Sequence, residues 1–141
     1  MITRAATQND VPQMSAFLTR LRELGKRISP SDEDFIRTHY IEDPDKIACT
    51  VAAEEDGTVL GFQSLKWARE GNIYGVTPGW GIIGTHIKPE AARRGVGRRL
   101  FAATQDAARA AGLKEVDASI GADNEEGLGY YGAMGFETYR T

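Results

Sequence analysis

A strand, a tight turn and a helix between residues 80 and 112 constrain the fold of this chain more than any other feature. Residues 80–88 form an apolar segment that predicts a strand, and Pro89 ends it because proline cannot continue a strand ladder. Residues 95–111 predict a helix with one apolar face, and Gly112 follows as a left-handed cap. Both kinds of element therefore occur in one short stretch, which excludes an all-helical fold and an all-β fold.

The other segments predict further strands and helices around this unit. Asp56-Gly57 is a strong hairpin signal, so we expect the strands on either side of it to be antiparallel neighbours. Asn9-Asp10 and the pair Ser31 and Asp34 are start signals for two early helices. The predicted strands are 2–5, 46–54, 59–68, 80–88, 115–120 and 136–140, and the predicted helices are 11–24, a segment that starts at 31 and ends before 43, 95–111 and 124–134. This order indicates an α+β or mixed α/β fold rather than a regular βαβ winding.

Length and composition narrow the class of protein. With 141 residues the chain is long enough to bury a core, and we predict a single domain over residues 1–141. Cys49 is its only cysteine, so an intrachain disulfide or a cysteine zinc cluster cannot form, and we predict no metal. The apolar runs are far shorter than the ~20 residues of a membrane span, and the start lacks a signal-peptide core, so we predict a cytoplasmic protein without membrane contacts. The net charge of -3 disfavours a general binder of nucleic acid.

The turn before the long helix has the residues of an anion site. Gly95 and Gly97 lie where a helix start exposes unpaired N–H groups and a partial positive charge, and glycine lets a ligand approach the backbone closely. Four of the 17 basic residues lie within seven positions, namely Arg93, Arg94, Arg98 and Arg99. We therefore predict a multiply charged, phosphorylated ligand. The alternative is that the glycines only shape the turn and the arginines are a solvated face.

Two other phosphate motifs are excluded, and a family resemblance remains. Leu100 stands where a dinucleotide-binding fingerprint needs glycine, and the P-loop pattern does not occur. The segment from Ile87 to Leu100 resembles the acetyl-coenzyme A (acetyl-CoA) motif of the GCN5-related N-acetyltransferase (GNAT) family, [Q/R]-x-x-G-x-[G/A]. Its first position falls on Ala92, which is a departure, and Arg93 or Arg94 is a candidate substitute.

The resemblance implies a fold and a cofactor site. The implied fold is a mostly antiparallel mixed sheet flanked by helices, in which the strands 80–88 and 115–120 splay apart and leave a cleft for acetyl-CoA. The implied contacts to the cofactor are mainly backbone N–H groups, with Ile87 near the acetyl group. The predicted cofactor-binding residues are Ile87, Arg93, Arg94, Gly95, Val96, Gly97, Arg98, Asn124 and Tyr131.

A second segment matches the same family independently. Residues 124–136 resemble the ending N-x-x-A-x-x-x-Y-x-x-x-G-F, with Gly127 in the alanine position. In the family the asparagine contacts the pantetheine arm and the tyrosine protonates the departing thiolate, which assigns these roles to Asn124 and Tyr131. A phenol with a reference pKa near ~10 suits this task. Alternatives are that Asn124 caps a helix and that Tyr131 is a core residue; we expect Tyr130, about 100° away on the helix, to pack.

These matches predict an N-acetyltransferase in which the primary amine of a small molecule or peptide attacks acetyl-CoA directly. His86 is the candidate base because imidazole titrates near neutral pH. A structural role for His86, water chains as the base, and the acidic side chains of Glu33, Asp34 and Glu42 remain open. A catalytically silent acyl-CoA-binding module and a nucleic-acid binder are the competing functions, although aromatic residues are absent between the arginines. A homodimer is open, and we expect the last strand to be truncated or completed by another segment.

Overall fold

The computed structural model describes residues 1–120 and 124–140, in which five strands form one sheet in the order β1-β2-β3-β4-β5. The strands are β1 Ile2–Ala5, β2 Lys46–Ala53, β3 Val59–Trp67, β4 Gly81–Ile87 and β5 Val116–Asp117. The helices are α1 Val11–Glu23, α2 Glu33–Ile36, which continues as a wider turn over Arg37–Ile41, α3 Val96–Ala110 and α4 Glu125–Ala133. The first four strands pair antiparallel and β5 pairs parallel to β4. The mixed α+β class and the β2–β3 hairpin predicted from the sequence are confirmed.

Each face of the sheet carries part of the core. Apolar residues three or four positions apart on α1 face one side of the sheet, where α2 also packs. That side buries Met14, Phe17, Leu18, Ile36, Val51 and Phe62. The opposite side is covered by α3 and α4 and buries Leu60, Leu65, Ile83, Leu100 and Tyr131. The helices predicted from residues 95–111 and 124–134 therefore lie on the same side of β4.

The strands β4 and β5 are paired over a very short length. Their partners are Gly81 with Val116 and Ile82 with Asp117. Beyond this point, residues 118–120 are not in a strand, so the predicted strand 115–120 is much shorter than expected. Within residues 1–120 and 124–140 the two strands pair no further, so the far end of β4 has no strand beside it on that side. This is the splayed geometry that the resemblance implies.

Three local predictions differ from the structure. Asp32 rather than Ser31 caps α2, because its Oδ2 accepts the Phe35 N–H at 3.1 Å, while the Ser31 hydroxyl contacts α1. Asp10 stands at the cap position of α1 as predicted, but its side chain does not bond the start of that helix; it accepts the Thr7 N–H at 2.8 Å and pairs with Arg4. The predicted strand 136–140 is not a strand in the described residues; there Arg140 Nη2 donates instead to the carbonyl of Tyr74 at 2.7 Å.

None of the helices described over residues 1–120 and 124–140 has the length and apolar character needed to cross a membrane.

Candidate functional site

The turn between β4 and α3 takes the shape of an anion cradle. Arg93 has φ of 64° and Gly95 has φ of 79°, so two left-handed residues reverse the chain just before the helix. In α3, the N–H of Arg99 donates to the Gly95 carbonyl at 3.2 Å. The N–H groups before Arg99 have no carbonyl one turn earlier in the helix, which is the arrangement that binds phosphates at helix starts. These residues are Val96, Gly97 and Arg98.

The four arginines beside this turn are exposed, but they are not equivalent. Arg94 Nη2 lies 2.5 Å from Glu54 Oε1 at the end of β2, so its charge already has a partner. Within residues 1–120 and 124–140, Arg93, Arg98 and Arg99 have no carboxylate within 4.0 Å. Arg93 is therefore better placed than Arg94 to replace the side chain that Ala92 lacks.

The far end of β4 turns backbone N–H groups toward the side on which its pairing with β5 has ended. The N–H of Gly81 donates to the Glu115 carbonyl on the β5 side, and the N–H of Lys88 donates to the Leu60 carbonyl on the β3 side, both at 2.9 Å. Because N–H groups alternate sides along an antiparallel strand, those of Thr85 and Ile87 face the β5 side. Among the residues that the structure describes, β5 pairs with Gly81 and Ile82 alone, so the Ile87 N–H faces a gap there.

Tyr131 faces this gap from α4. Its side chain is buried, and its hydroxyl lies 2.9 Å from Thr85 Oγ1 on β4. Burial raises the pKa of Tyr131 to about 12, although hydrogen bonds from Thr85 oppose the rise. Tyr131 is therefore protonated at neutral pH and has a proton to donate.

Tyr130 links α4 to the anion cradle. Its hydroxyl donates to the Gly97 carbonyl at 2.8 Å and accepts from Gln63 Nε2 at 3.0 Å. Its ring fills the space beside Gly97, where an added Cβ would lie 2.6 Å from Tyr130 Cε1. The packing role predicted for Tyr130 fits this placement, but its two hydroxyl contacts were not predicted.

Asn124 is placed as the cap of α4. Its Oδ1 accepts the Gly127 N–H at 2.9 Å, and a Cβ at Gly127 would lie 2.9 Å from Asn124 Nδ2. This contact explains why glycine replaces the alanine of the family pattern. The side chain is exposed, so the described contacts leave Nδ2 accessible.

His86 lies on the opposite face of β4 from Thr85, because side chains alternate along a strand. Its ring packs 4.7 Å from that of Phe62, and its Nε2 lies 3.5 Å from the Tyr40 hydroxyl. Burial, assisted by the positive charge of Arg27, lowers the pKa of His86 to about 3. The base role that the sequence predicts for His86 does not fit this setting, since its imidazole holds a proton very weakly.

The acidic alternatives to His86 lie at the surface. Glu33, Asp34 and Glu42 are all exposed, and Asp34 is paired with Arg37 at 2.8 Å. The described residues contain no cluster of His, Cys, Asp and Glu that could hold a metal ion.

Sequence reasoning missed Gln63 and Thr85. Both lie on the α4 side of neighbouring strands, and Gln63 Nε2 donates to Thr85 Oγ1 at 2.8 Å. The available signal was a glutamine within the otherwise apolar residues 59–63, because an amide in a buried strand needs partners.

The comparison with known families decides the family of this chain. The Acetyltransferase (GNAT) family matches residues 14–136. The chain belongs to the GNAT family. A relative of this GNAT chain, the mycothiol acetyltransferase of Rhodococcus jostii (strain RHA1), is 34% identical over 100 residues, which are 70% of this chain and 32% of that protein. The chain thus spans about a third of that relative's length.

Solved structures of other acetyltransferases share the fold of this GNAT chain. A GCN5-related N-acetyltransferase from Kribbella flavida is 24% identical with a TM-score of 0.79, over 96% of this chain and 82% of that one. An aminoglycoside N-acetyltransferase solved in complex with CoA is 18% identical with a TM-score of 0.71, over 99% of this chain and 98% of that one. At these identities the likeness shows the fold, which is the mixed five-stranded sheet flanked by helices.

Proposed function

We propose that this GNAT chain transfers the acetyl group of acetyl-CoA to a primary amine of a small molecule or peptide by direct attack. The observation that carries the proposal is the position of the Tyr131 hydroxyl beside the open end of β4, immediately before the anion cradle. One side of the gap thus offers a proton donor, and the strand that borders it offers the free N–H of Ile87. A thioester in the gap would lie between the groups that its transfer needs.

The cradle fits the pyrophosphate of coenzyme A. The N–H groups of Val96, Gly97 and Arg98 point away from α3 and supply donors, and the charges of Arg93 and Arg98 add attraction. Arg94 contributes less because Glu54 neutralises it. In this proposal the pantetheine arm extends from the cradle along the open edge of β4, where Asn124 Nδ2 is available to donate to one of its carbonyls.

The chemistry follows from three groups. The amine attacks the thioester carbon while the Ile87 N–H stabilises the negative oxygen, as backbone donors do in oxyanion holes. The nitrogen of the tetrahedral intermediate loses its extra proton to water, the intermediate expels the thiolate, and Tyr131 donates its proton to the sulfur. The difference between the Tyr131 pKa of about 12 and the ~8.5 of a reference thiol costs about 5 kcal/mol. Desolvation of the thiolate in the same gap raises its pKa and reduces that cost.

The acceptor enters the reaction as the free amine. An ammonium with the reference pKa of lysine, ~10.4, loses its proton to water at pH 7 at a cost of about 5 kcal/mol. Transfer of that proton to His86 would cost about 10 kcal/mol, because the pKa of His86 is about 3. Deprotonation in solvent is therefore the cheaper route, and His86 has a packing role.

The test measures thiol release from acetyl-CoA with a panel of primary amines for wild type, Tyr131→Phe and Tyr74→Phe. We expect Tyr131→Phe to lower kcat about 100-fold, the size of a general-acid contribution, with little change in KM for acetyl-CoA. Tyr74→Phe is the matched control because this side chain is exposed. Tight CoA binding without acetylation of any amine would contradict the proposal and support a silent acyl-CoA-binding module.

A further inference from the structure

We propose that Gln63 and Thr85 are positioning residues that turn the hydroxyl proton of Tyr131 toward the departing thiolate. The inference rests on the proposed function, because it assigns a direction to the proton that Tyr131 donates there. It follows from counting donors and acceptors along one chain of hydrogen bonds between the anion cradle and Tyr131.

The first link fixes the proton of Tyr130. The Tyr130 hydroxyl lies 2.8 Å from the Gly97 carbonyl, and a carbonyl can only accept. The single Tyr130 proton is therefore directed to Gly97. The Tyr130 oxygen must then accept from its other neighbour, the Gln63 side chain at 3.0 Å.

The second link fixes the amide of Gln63. Its Nε2 has two protons, and two oxygens lie within reach, those of Tyr130 at 3.0 Å and Thr85 at 2.8 Å. A reversed amide would place Oε1 against the Tyr130 oxygen, whose proton already points to Gly97. The side chain is 1% exposed, and its Oε1 is buried without a partner among the described residues. The orientation shown lets Nε2 donate to both oxygens, whereas the reversed amide would leave the Tyr130 oxygen without the donor at 3.0 Å.

The third link sets the direction at Tyr131. Thr85 Oγ1 accepts a proton from Gln63 at 2.8 Å, and the Tyr131 oxygen at 2.9 Å is the hydrogen-bond partner left for its own proton, since the Tyr130 oxygen already accepts from Gln63. Thr85 thus donates and Tyr131 accepts. The Tyr131 proton is not used in the chain and points away from Thr85, into the gap beside β4.

This direction assists the proton transfer in two ways: it aims the Tyr131 proton at the sulfur, and it leaves a Thr85 hydrogen bond to stabilise the phenolate that forms. The Tyr131 O–H bond breaks and a bond forms between its proton and the sulfur of CoA, while Thr85 keeps its own proton. The phenolate that results accepts the Thr85 hydrogen bond, and solvent returns a proton to Tyr131 after CoA leaves. A hydrogen bond to a charged group changes an equilibrium about 10- to 100-fold.

The experiment is a double-mutant cycle of Thr85→Val and Tyr131→Phe, read as kcat and KM at saturating amine. We expect Thr85→Val to lower kcat about 10- to 100-fold, with KM for acetyl-CoA unchanged because the cradle is not altered. Thr85→Ser keeps the hydroxyl and should retain a kcat close to that of wild type. In the Tyr131→Phe background, Thr85→Val should have no further effect on kcat, because the proton that it orients is absent.

Gln63→Glu tests the direction of the chain with an almost identical shape. A carboxylate accepts where the amide donates, so it draws the Thr85 proton toward itself and lets Tyr131 donate to Thr85. We expect a loss of kcat as large as that of Thr85→Val, and thermal unfolding of each variant verifies that it is folded. If Gln63→Glu does not fold, the Thr85 variants carry the test.

The outcomes separate the inference from the proposed function. Equal losses from Thr85→Val in the wild-type and Tyr131→Phe backgrounds would overturn the inference while the enzyme stays Tyr131-dependent. Failure of Thr85→Ser to retain activity would overturn it as well. A wild-type protein that acetylates no amine, or a fully active Tyr131→Phe variant, would overturn the proposed role of Tyr131 and the inference with it.

Discussion

Lowering the pH from 7 to 5 should destabilise this protein through His86. The unfolded chain exposes a histidine with a reference pKa of 6.5, whereas in the fold the pKa of His86 is about 3. Between these values the unfolded state binds more protons, so the free energy of unfolding falls as the pH falls from 6.5 toward 3. At pH 5 the difference is 1.5 units below 6.5, which corresponds to about 2 kcal/mol. Asp10 does not contribute in this range, because Arg4 holds its pKa below the usual 3.8.

Urea denaturation at pH 7 and pH 5 measures this loss. We expect wild type to lose about 2 kcal/mol more than His86→Gln between the two pH values, since glutamine does not titrate. His39→Gln is the control because His39 is the other histidine of the chain and is exposed. Equal losses in wild type and His86→Gln would refute the reasoning, and would return His86 to the list of groups that can accept a proton at neutral pH.

Two further predictions concern glycine and the turn. Arg93→Gly should raise the free energy of unfolding by about 0.5–1 kcal/mol, because glycine adopts φ of 64° without strain. The same change should weaken CoA binding, because it removes a charge that we place beside the pyrophosphate. Calorimetry measures both the unfolding and the binding, and an unchanged affinity for CoA would exclude Arg93 from the site. Gly97→Ala should lower the free energy of unfolding by about 1–3 kcal/mol, because its Cβ would meet the Tyr130 ring. Gly129→Ala is the control: its Cβ would have no atom within 4 Å, so the helix-favouring alanine should raise the free energy of unfolding by up to ~1 kcal/mol. Denaturant titrations measure both changes. Equal effects of the two alanines would contradict the packing described here.

The elements that determine the cradle are predictable because their signals are local. Pro89 ends β4, the left-handed Gly95 starts α3, and Gly112 with φ of 75° ends it. Each signal acts within a few residues along the chain, so the sequence alone predicts where the strand, the turn and the helix begin and end. The seven-residue interval from Asn124 to Tyr131 is equally local, since Asn124 caps α4 and Tyr131 lies within that same helix.

The contacts around Tyr131 depend on pairings between distant segments. Gln63 meets Thr85 through the register of β3 and β4, and both meet Tyr130 and Tyr131 only once α4 has packed on the sheet. A one-residue change in register would place Gln63 on the other face, and periodicity does not fix that register. The pKa of His86 has the same origin: its residue type predicted a titration near neutral pH, but packing against Phe62 and Tyr40, residues distant in sequence, lowers its pKa to about 3.

The pairing of β4 with β5 is shorter than that of any other two neighbouring strands in the described sheet, so this edge of the cleft is held by few backbone hydrogen bonds. Gly81 and Ile82 are the β4 residues with partners in β5, whereas β4 is paired with β3 over its whole length, Gly81–Ile87. Segments with few backbone hydrogen bonds open at lower free energy than the rest of a fold. The rate at which the Thr85 and Ile87 amide hydrogens exchange with solvent therefore reports whether the cleft is empty or filled. The exchange should slow when any ligand fills the cleft, so it can detect ligands without knowledge of the substrate.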